Sequence, residues 1–165
     1  MSDLGELRTE AGAGTPEPAG KESFDSRPMC RMSFIAVELE LPSTNPAILL
    51  QELDLPFREL RITIGSSEGI AIAYAAKRIP TPKPLTHQLF AEVMEAFGLA
   101  LEVVRITAVE GSSFFAELVL SGPQGSKVVQ CRPSDAIALV LRQRLMVPIM
   151  VEPAVLDLAG KTAAG

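Results

Sequence analysis

The sequence has no tryptophan, one tyrosine, one histidine and two cysteines in 165 residues. Cys30 and Cys131 have neither the density of a disulfide scaffold nor the paired spacing of a zinc site. Both read as reduced thiols, and the chain as a cytoplasmic protein. No apolar run approaches the roughly 20 residues that span a bilayer, and no basic-then-apolar signal pattern opens the chain. Membrane contact is therefore not expected. A surplus of positive charge is also missing: 15 Lys and Arg stand against 20 Asp and Glu, a net charge of −5. Phosphate neutralisation supplies most of the affinity for nucleic acid, so this balance argues against a dedicated nucleic-acid binder. An enzyme that only visits DNA or RNA can work from a local basic patch. Walker loops and dinucleotide fingerprints are absent too.

What the chain does contain is enough apolar residue for one well-filled domain, 47% of the total. Residues 1–28 are rich in Gly, Pro, Ala, Glu and Ser and read as a disordered tail. The domain is expected over 29–159, with a flexible C-terminus at 160–165. Three strands are predicted first, at Met32 to Leu41, Ile48 to Leu53 and Arg58 to Ile64. A helix from about Ser67 to Arg78 follows, then a segment stiffened by Pro80, Pro82 and Pro84. Thr86 is expected to cap a second helix with apolar residues at Leu89, Phe90, Val93, Met94 and Phe97, ended by Gly98. Strands at Leu101 to Val109, Phe114 to Leu120 and Lys127 to Cys131 lead into a third helix. A short strand at Pro148 to Val151 and a helix or coil at Pro153 to Leu158 complete an α+β domain. Its sheet is expected to be mixed, mostly antiparallel, with six or seven strands and about three helices packed on it.

The stretch from Lys127 to Arg144 organises the rest. A β-branched strand ends at Cys131, Pro133 suits the first turn of a helix, and Arg132, Ser134 and Asp135 crowd the corner between them. The helix beyond is apolar enough to be buried nearly all round. Residues 61–73 repeat the pattern. Laying Ile64 on Cys131 places Ser67 on Ser134, Glu68 on Asp135 and Ile70 on Ile137 without a gap, as a decayed internal duplication would.

Candidate chemistry concentrates at these corners. Gly65-Ser66-Ser67-Glu68-Gly69 matches the nucleophile-elbow pattern, but His87 follows too soon and no acid lies between Glu68 and it, so that reading is rejected. His87 alone titrates near neutrality without perturbation. It is either a helix-start residue or a general acid or base. Glu68 and Asp135 suit the positive ends of helix dipoles, and as a pair could instead hold Mg²⁺ or Mn²⁺. Arg132 beside a helix N-terminus is repelled by the dipole and so calls for a partner. That partner is an internal carboxylate, Glu68 or Asp135, or a phosphate from outside. Lys83, with Lys77 and Arg78, forms the one modest basic cluster.

Three blocks together resemble the bifunctional nuclease family: Ile64-Gly65-x-x-Glu68-x-x-Ala71-Ile72, Lys83-Pro84-Leu85-Thr86-His87-x-Leu89 and Cys131-Arg132-Pro133-Ser134-Asp135-Ala136-Ile137-Ala138-Leu139. The resemblance runs from about Met32 to Leu158. It implies a compact, oligomer-forming α+β domain that hydrolyses DNA and RNA with little sequence choice. By position it implies a site at Glu68, His87, Arg132, Ser134 and Asp135, and the expected roles are catalytic for His87, Glu68, Asp135 and Arg132 and substrate-holding for Lys83, Thr86 and Ser134. Gln88 stands where many relatives carry an acidic residue, Lys83 where they often carry Arg, and the turn at Ser43-Thr44-Asn45 lacks their usual Asp. The rival expectation is a non-catalytic oligomeric interaction or regulatory domain of the same fold.

Overall fold

A computed structural model describes residues 28–162. The tail expected at 1–28 lies outside the described residues apart from Pro28, as do the last three residues of the chain. An antiparallel meander opens the domain, β1 (Cys30–Glu38), β2 (Ala47–Glu52) and β3 (Arg58–Thr63). It feeds α1 (Ser66–Ala76), the proline segment and α2 (Thr86–Ala96). A second meander follows, β4 (Ala100–Glu110), β5 (Ser113–Gly122) and β6 (Gly125–Cys131), and leads into α3 (Pro133–Val140). The chain then runs through β7 (Ile149–Val151), α4 (Pro153–Ala159) and β8 (Gly160–Thr162).

All eight strands form one sheet in the order β6-β5-β4-β7-β1-β2-β3-β8. Only three residues join the two meanders. β7 lies between them, antiparallel to β1 through Met32↔Ile149 and parallel to β4 through Val104↔Ile149. Ile149 and Val151 are both buried there.

α3 carries the core. Ala136, Ile137, Ala138 and Leu139 are at most 3% exposed, because α1, α2, β4 and β5 all pack on this one helix. The two alanines leave room for neighbouring backbones to approach. Burying Ile137 and Leu139 contributes roughly 1.5–3 kcal/mol each. α2 is held more loosely, with Met94 its one buried residue, and ends where Gly98 takes φ +67. That left-handed conformation is the one in which glycine avoids a Cβ clash.

The α+β class and mostly antiparallel sheet agree with the sequence reading, and three details correct it. The sheet has eight strands and the domain four helices, because residues 153–159 form a helix begun by Pro153 and residues 160–162 form a strand. The end of the chain, expected to be flexible from 160, is ordered over Gly160–Thr162 by pairing with Arg58–Leu60 of β3. Thr86 does not cap α2. Leu85 holds the cap position, Thr86 is the first helical residue, and no side chain caps the helix. The Ser residues of the first corner likewise donate no cap; Gly65 occupies that position.

One buried ion pair pins the C-terminal elements to the first meander. Glu52, 5% exposed, accepts from Arg58 Nε at 2.9 Å, from Nη2 at 3.0 Å and from the Arg58 backbone N–H at 3.2 Å. Arg58 Nη1 also donates to Asp157 on α4 at 2.8 Å. These hydrogen bonds from Arg58 outweigh burial and pull the Glu52 carboxyl down to about 2. A depressed carboxyl stabilises the fold above the ordinary glutamate range and loses that contribution as pH falls through its native value. From about 4.3 to about 2 this amounts to roughly 3 kcal/mol. Glu52→Gln should therefore lower the melting temperature at neutral pH and flatten the acid limb of a stability profile between those values. A variant whose acid limb matches wild type would show that Glu52 is not the titrating group.

Candidate active site

The two strand-to-helix corners match position for position. Gly65 and Arg132 are the N-caps of α1 and α3, both extended, with ψ near 161° and 149°, and Glu68 and Asp135 are the third helical residues. In an ordinary capping box a carboxylate at this place folds back onto the cap N–H. Here both carboxylates turn to one guanidinium. Arg132 Nε donates to Asp135 Oδ2 at 2.8 Å and Nη2 to Oδ1 at 2.9 Å, a bidentate fork, while Nη1 donates to Glu68 Oε1 at 2.8 Å. α2 supplies the fourth member. His87 Nε2 lies 3.0 Å from Asp135 Oδ1.

Asp135 is ionised in this setting. The Arg132 fork lowers its carboxyl most, burial opposes the shift, and His87 adds to the lowering. The same fork, ahead of the charge of Asp135 and the contact with Glu68, pushes the Arg132 guanidinium above its usual value. An ionised carboxylate only accepts, so Nε2 of His87 carries the proton and donates it to Oδ1. In the neutral ring that leaves Nδ1 as a bare acceptor, the atom that would take a proton from water.

Exposure separates the roles. The His87, Glu68 and Asp135 side chains are 19–27% exposed, whereas Arg132 is 63% exposed. Of the five N–H donors on a guanidinium, Arg132 uses three. Two remain for a ligand. Arg132 thus has the internal partners expected from sequence and is also open to solvent.

Not every expected residue joins this group. Ser134 is buried at 5% exposure, in the first turn of α3, and among the described residues makes no side-chain hydrogen bond with the cluster. Lys83 and Thr86 are exposed and, among the described residues, make no side-chain hydrogen bond or ion pair with the cluster. Cys131, just before Arg132, is held in its protonated thiol form at neutral pH. Burial first, then the charges of Asp135 and Glu117, push its thiol up to about 11.

Two positioning residues emerge from the packing. A Cβ added to Gly65 would collide with Glu68 Oε2, so a side chain at the cap would make the carboxylate end shift. Glycine at the aligned cap was the signal in the sequence. Gln88, noted as a departure from the family, ties α2 to the far end of α3: it accepts from Arg142 at 3.3 Å and donates to Glu92 at 3.1 Å.

Gly65→Ala should displace Glu68. Melting curves of Gly65→Ala, Glu68→Gln and the double variant test this, because Glu68→Gln should cost roughly 0.5–1 kcal/mol alone and almost nothing after Gly65→Ala. Equal costs in both backgrounds would place Glu68 outside the influence of Gly65.

Residues 48–164 match the family model described as the bifunctional nuclease domain. An uncharacterized protein of Mycobacterium tuberculosis (strain ATCC 25618 / H37Rv) is 38% identical over 132 residues, 80% of this chain and 77% of that protein. Bifunctional nuclease 1 of Oryza sativa subsp. japonica is 30% identical over 108 residues, 64% of this chain, and this match covers 32% of the rice protein. With both strand-to-helix corners and the histidine block in the matched span, the chain belongs to the bifunctional nuclease domain family.

Proposed function

We propose that this domain is a phosphodiester hydrolase that acts on DNA and RNA with little sequence choice. The observation that carries the reading is the His87–Asp135–Arg132 chain, in which a proton acceptor and a half-free guanidinium are held by one carboxylate. The two spare N–H groups of Arg132 suit the non-bridging oxygens of a phosphate and stabilise the negative charge that those oxygens carry in the transition state. His87 Nδ1 takes a proton from the attacking water. The P–O bond to the leaving strand breaks as the water oxygen bonds to phosphorus, and the leaving oxygen takes its proton from solvent. Asp135 keeps His87 in the right tautomer and offsets the charge it gains. Glu68 positions Arg132. Lys83 and Thr86, on the exposed approach to His87, would meet the flanking phosphates.

Contacts to phosphate alone carry no base information, which accounts for broad specificity. No helix among the described residues is long and apolar enough to cross a membrane. With two free thiols, the reading places the protein in the cytoplasm.

One observation favours the rival class. Leu89, Phe90, Val93 and Phe97 lie along one exposed face of α2, Phe97 at 72%. A stripe of that kind fits self-association, so the proposal includes a homo-oligomer. In the rival reading, assembly is the whole function.

Turnover of end-labelled single-stranded DNA and RNA by purified protein separates them. His87→Ala and Asp135→Asn should each slow cleavage by about 10²–10⁴-fold, and Arg132→Ala should remove binding whose affinity falls as salt rises. Residual cleavage that is identical in all four proteins would belong to a contaminant and leave only the assembly reading.

A further inference from the structure

The carboxylate pair that invites a divalent cation already holds a cation of its own. Mg²⁺ or Mn²⁺ between Glu68 and Asp135 would need oxygens from both groups converging at about 2.0–2.2 Å on one point, with water or further ligands completing the shell. The oxygens do not converge. Asp135 spends both on the Nε and Nη2 edge of Arg132, and Oδ1 also receives His87. Glu68 Oε1 meets a different nitrogen, Nη1, so the width of the guanidinium plane separates the two carboxylates. Glu68 Oε2 lies beside Gly65 and takes no part in the Arg132 contact, which Oε1 makes. Among the described residues, no three His, Cys, Asp or Glu groups gather in an arrangement that could hold a metal ion.

Charge points the same way. Two carboxylates against one guanidinium leave a single negative charge, and both acids sit on the first turns of helices whose N-termini supply further positive potential, about half a charge each. A dication entering here would meet almost no uncompensated negative charge.

We infer that Arg132 occupies the place of the metal ion, so that this site receives phosphate through a guanidinium and takes up a divalent cation only when that side chain is removed. The inference rests on the phosphodiesterase reading for the identity of the ligand, and on geometry alone for the exclusion of the cation. Arg132 supplies two of the services a metal would: it neutralises the carboxylates in the resting site and presents donors to the phosphate oxygens. A guanidinium does not coordinate water as a Lewis acid, so activation of the water falls to His87 as general base.

The test is Mn²⁺ uptake followed by loss of the free-ion electron paramagnetic resonance signal, on wild type, Arg132→Ala, Arg132→Gln and Arg132→Lys, with circular dichroism to confirm each fold. Wild type and Arg132→Lys should leave the signal unchanged. The alanine or glutamine variant should take up one Mn²⁺ with affinity at least about tenfold above wild type, and a further Asp135→Asn change should abolish this. Stoichiometric uptake by wild type that Asp135→Asn removes would overturn the inference, as would failure of every Arg132 variant to bind. Hydrolysis measured with and without chelator adds a separate line. Cleavage that survives chelation agrees with the inference. Cleavage lost on chelation and restored by Mn²⁺ contradicts it, and absence of cleavage under every condition defeats the hydrolase reading while the titration still decides the metal question.

Discussion

Arg132 carries positive charge at the end of a helix where the dipole repels it, and it stays because two carboxylates from two different helices close on it. That contact organises the polar side of the molecule. It links the start of α1 to the start of α3, fixes Asp135 in its ionised state and, through Asp135, sets the tautomer of His87. Its worth as a stabilising pair is small, since Arg132 is mostly exposed and solvent screens it. Its worth as a positioning device is larger, because a bidentate fork constrains direction as well as distance.

The rigidity behind the fork comes from the apolar side. α3 is wedged among two helices and two strands, so the corner at its N-terminus cannot drift. β7 locks the meander that leads to α1 against the meander that leads to α3, which holds the two corners in one frame. The stronger electrostatic contribution to stability lies elsewhere, in the Glu52 and Arg58 pair that anchors α4. Stability and site chemistry thus rest on different ion pairs, one buried and one open, and a change to the open pair leaves the buried one intact.

α2 is the exception to close packing. One face reaches α3 and delivers His87, while Leu89, Phe90, Val93 and Phe97 stay in solvent. The helical spacing of these apolar residues was visible in the sequence, but spacing does not say which part of the stripe meets the core. Met94 alone does. The same limit explains Ser134, a polar residue at a polar corner that is nevertheless buried.

Much of this molecule was set by local rules. Alternation and helical periodicity located six strands and three helices of the sequence reading, since elements of more than a few residues leave a period to detect, and the apolar run before Pro153 marked the short β7. The two corners could be laid on each other because cap geometry is short-range, and the structure places Glu68 and Asp135 at equivalent positions. That an arginine at such a corner must have an acidic or phosphate partner also followed from the dipole alone. Tertiary structure decided which partner: Glu68 lies 64 positions from Arg132 and Asp135 lies 48 from His87, and no local rule spans such distances. It likewise decided that Gly160–Thr162 is a strand, because three residues carry no period and gain their order only from pairing with β3. Glu68, His87, Arg132 and Asp135 stand out in the sequence one by one, whereas the use of one guanidinium to join two carboxylates exists only once α1 and α3 are packed side by side.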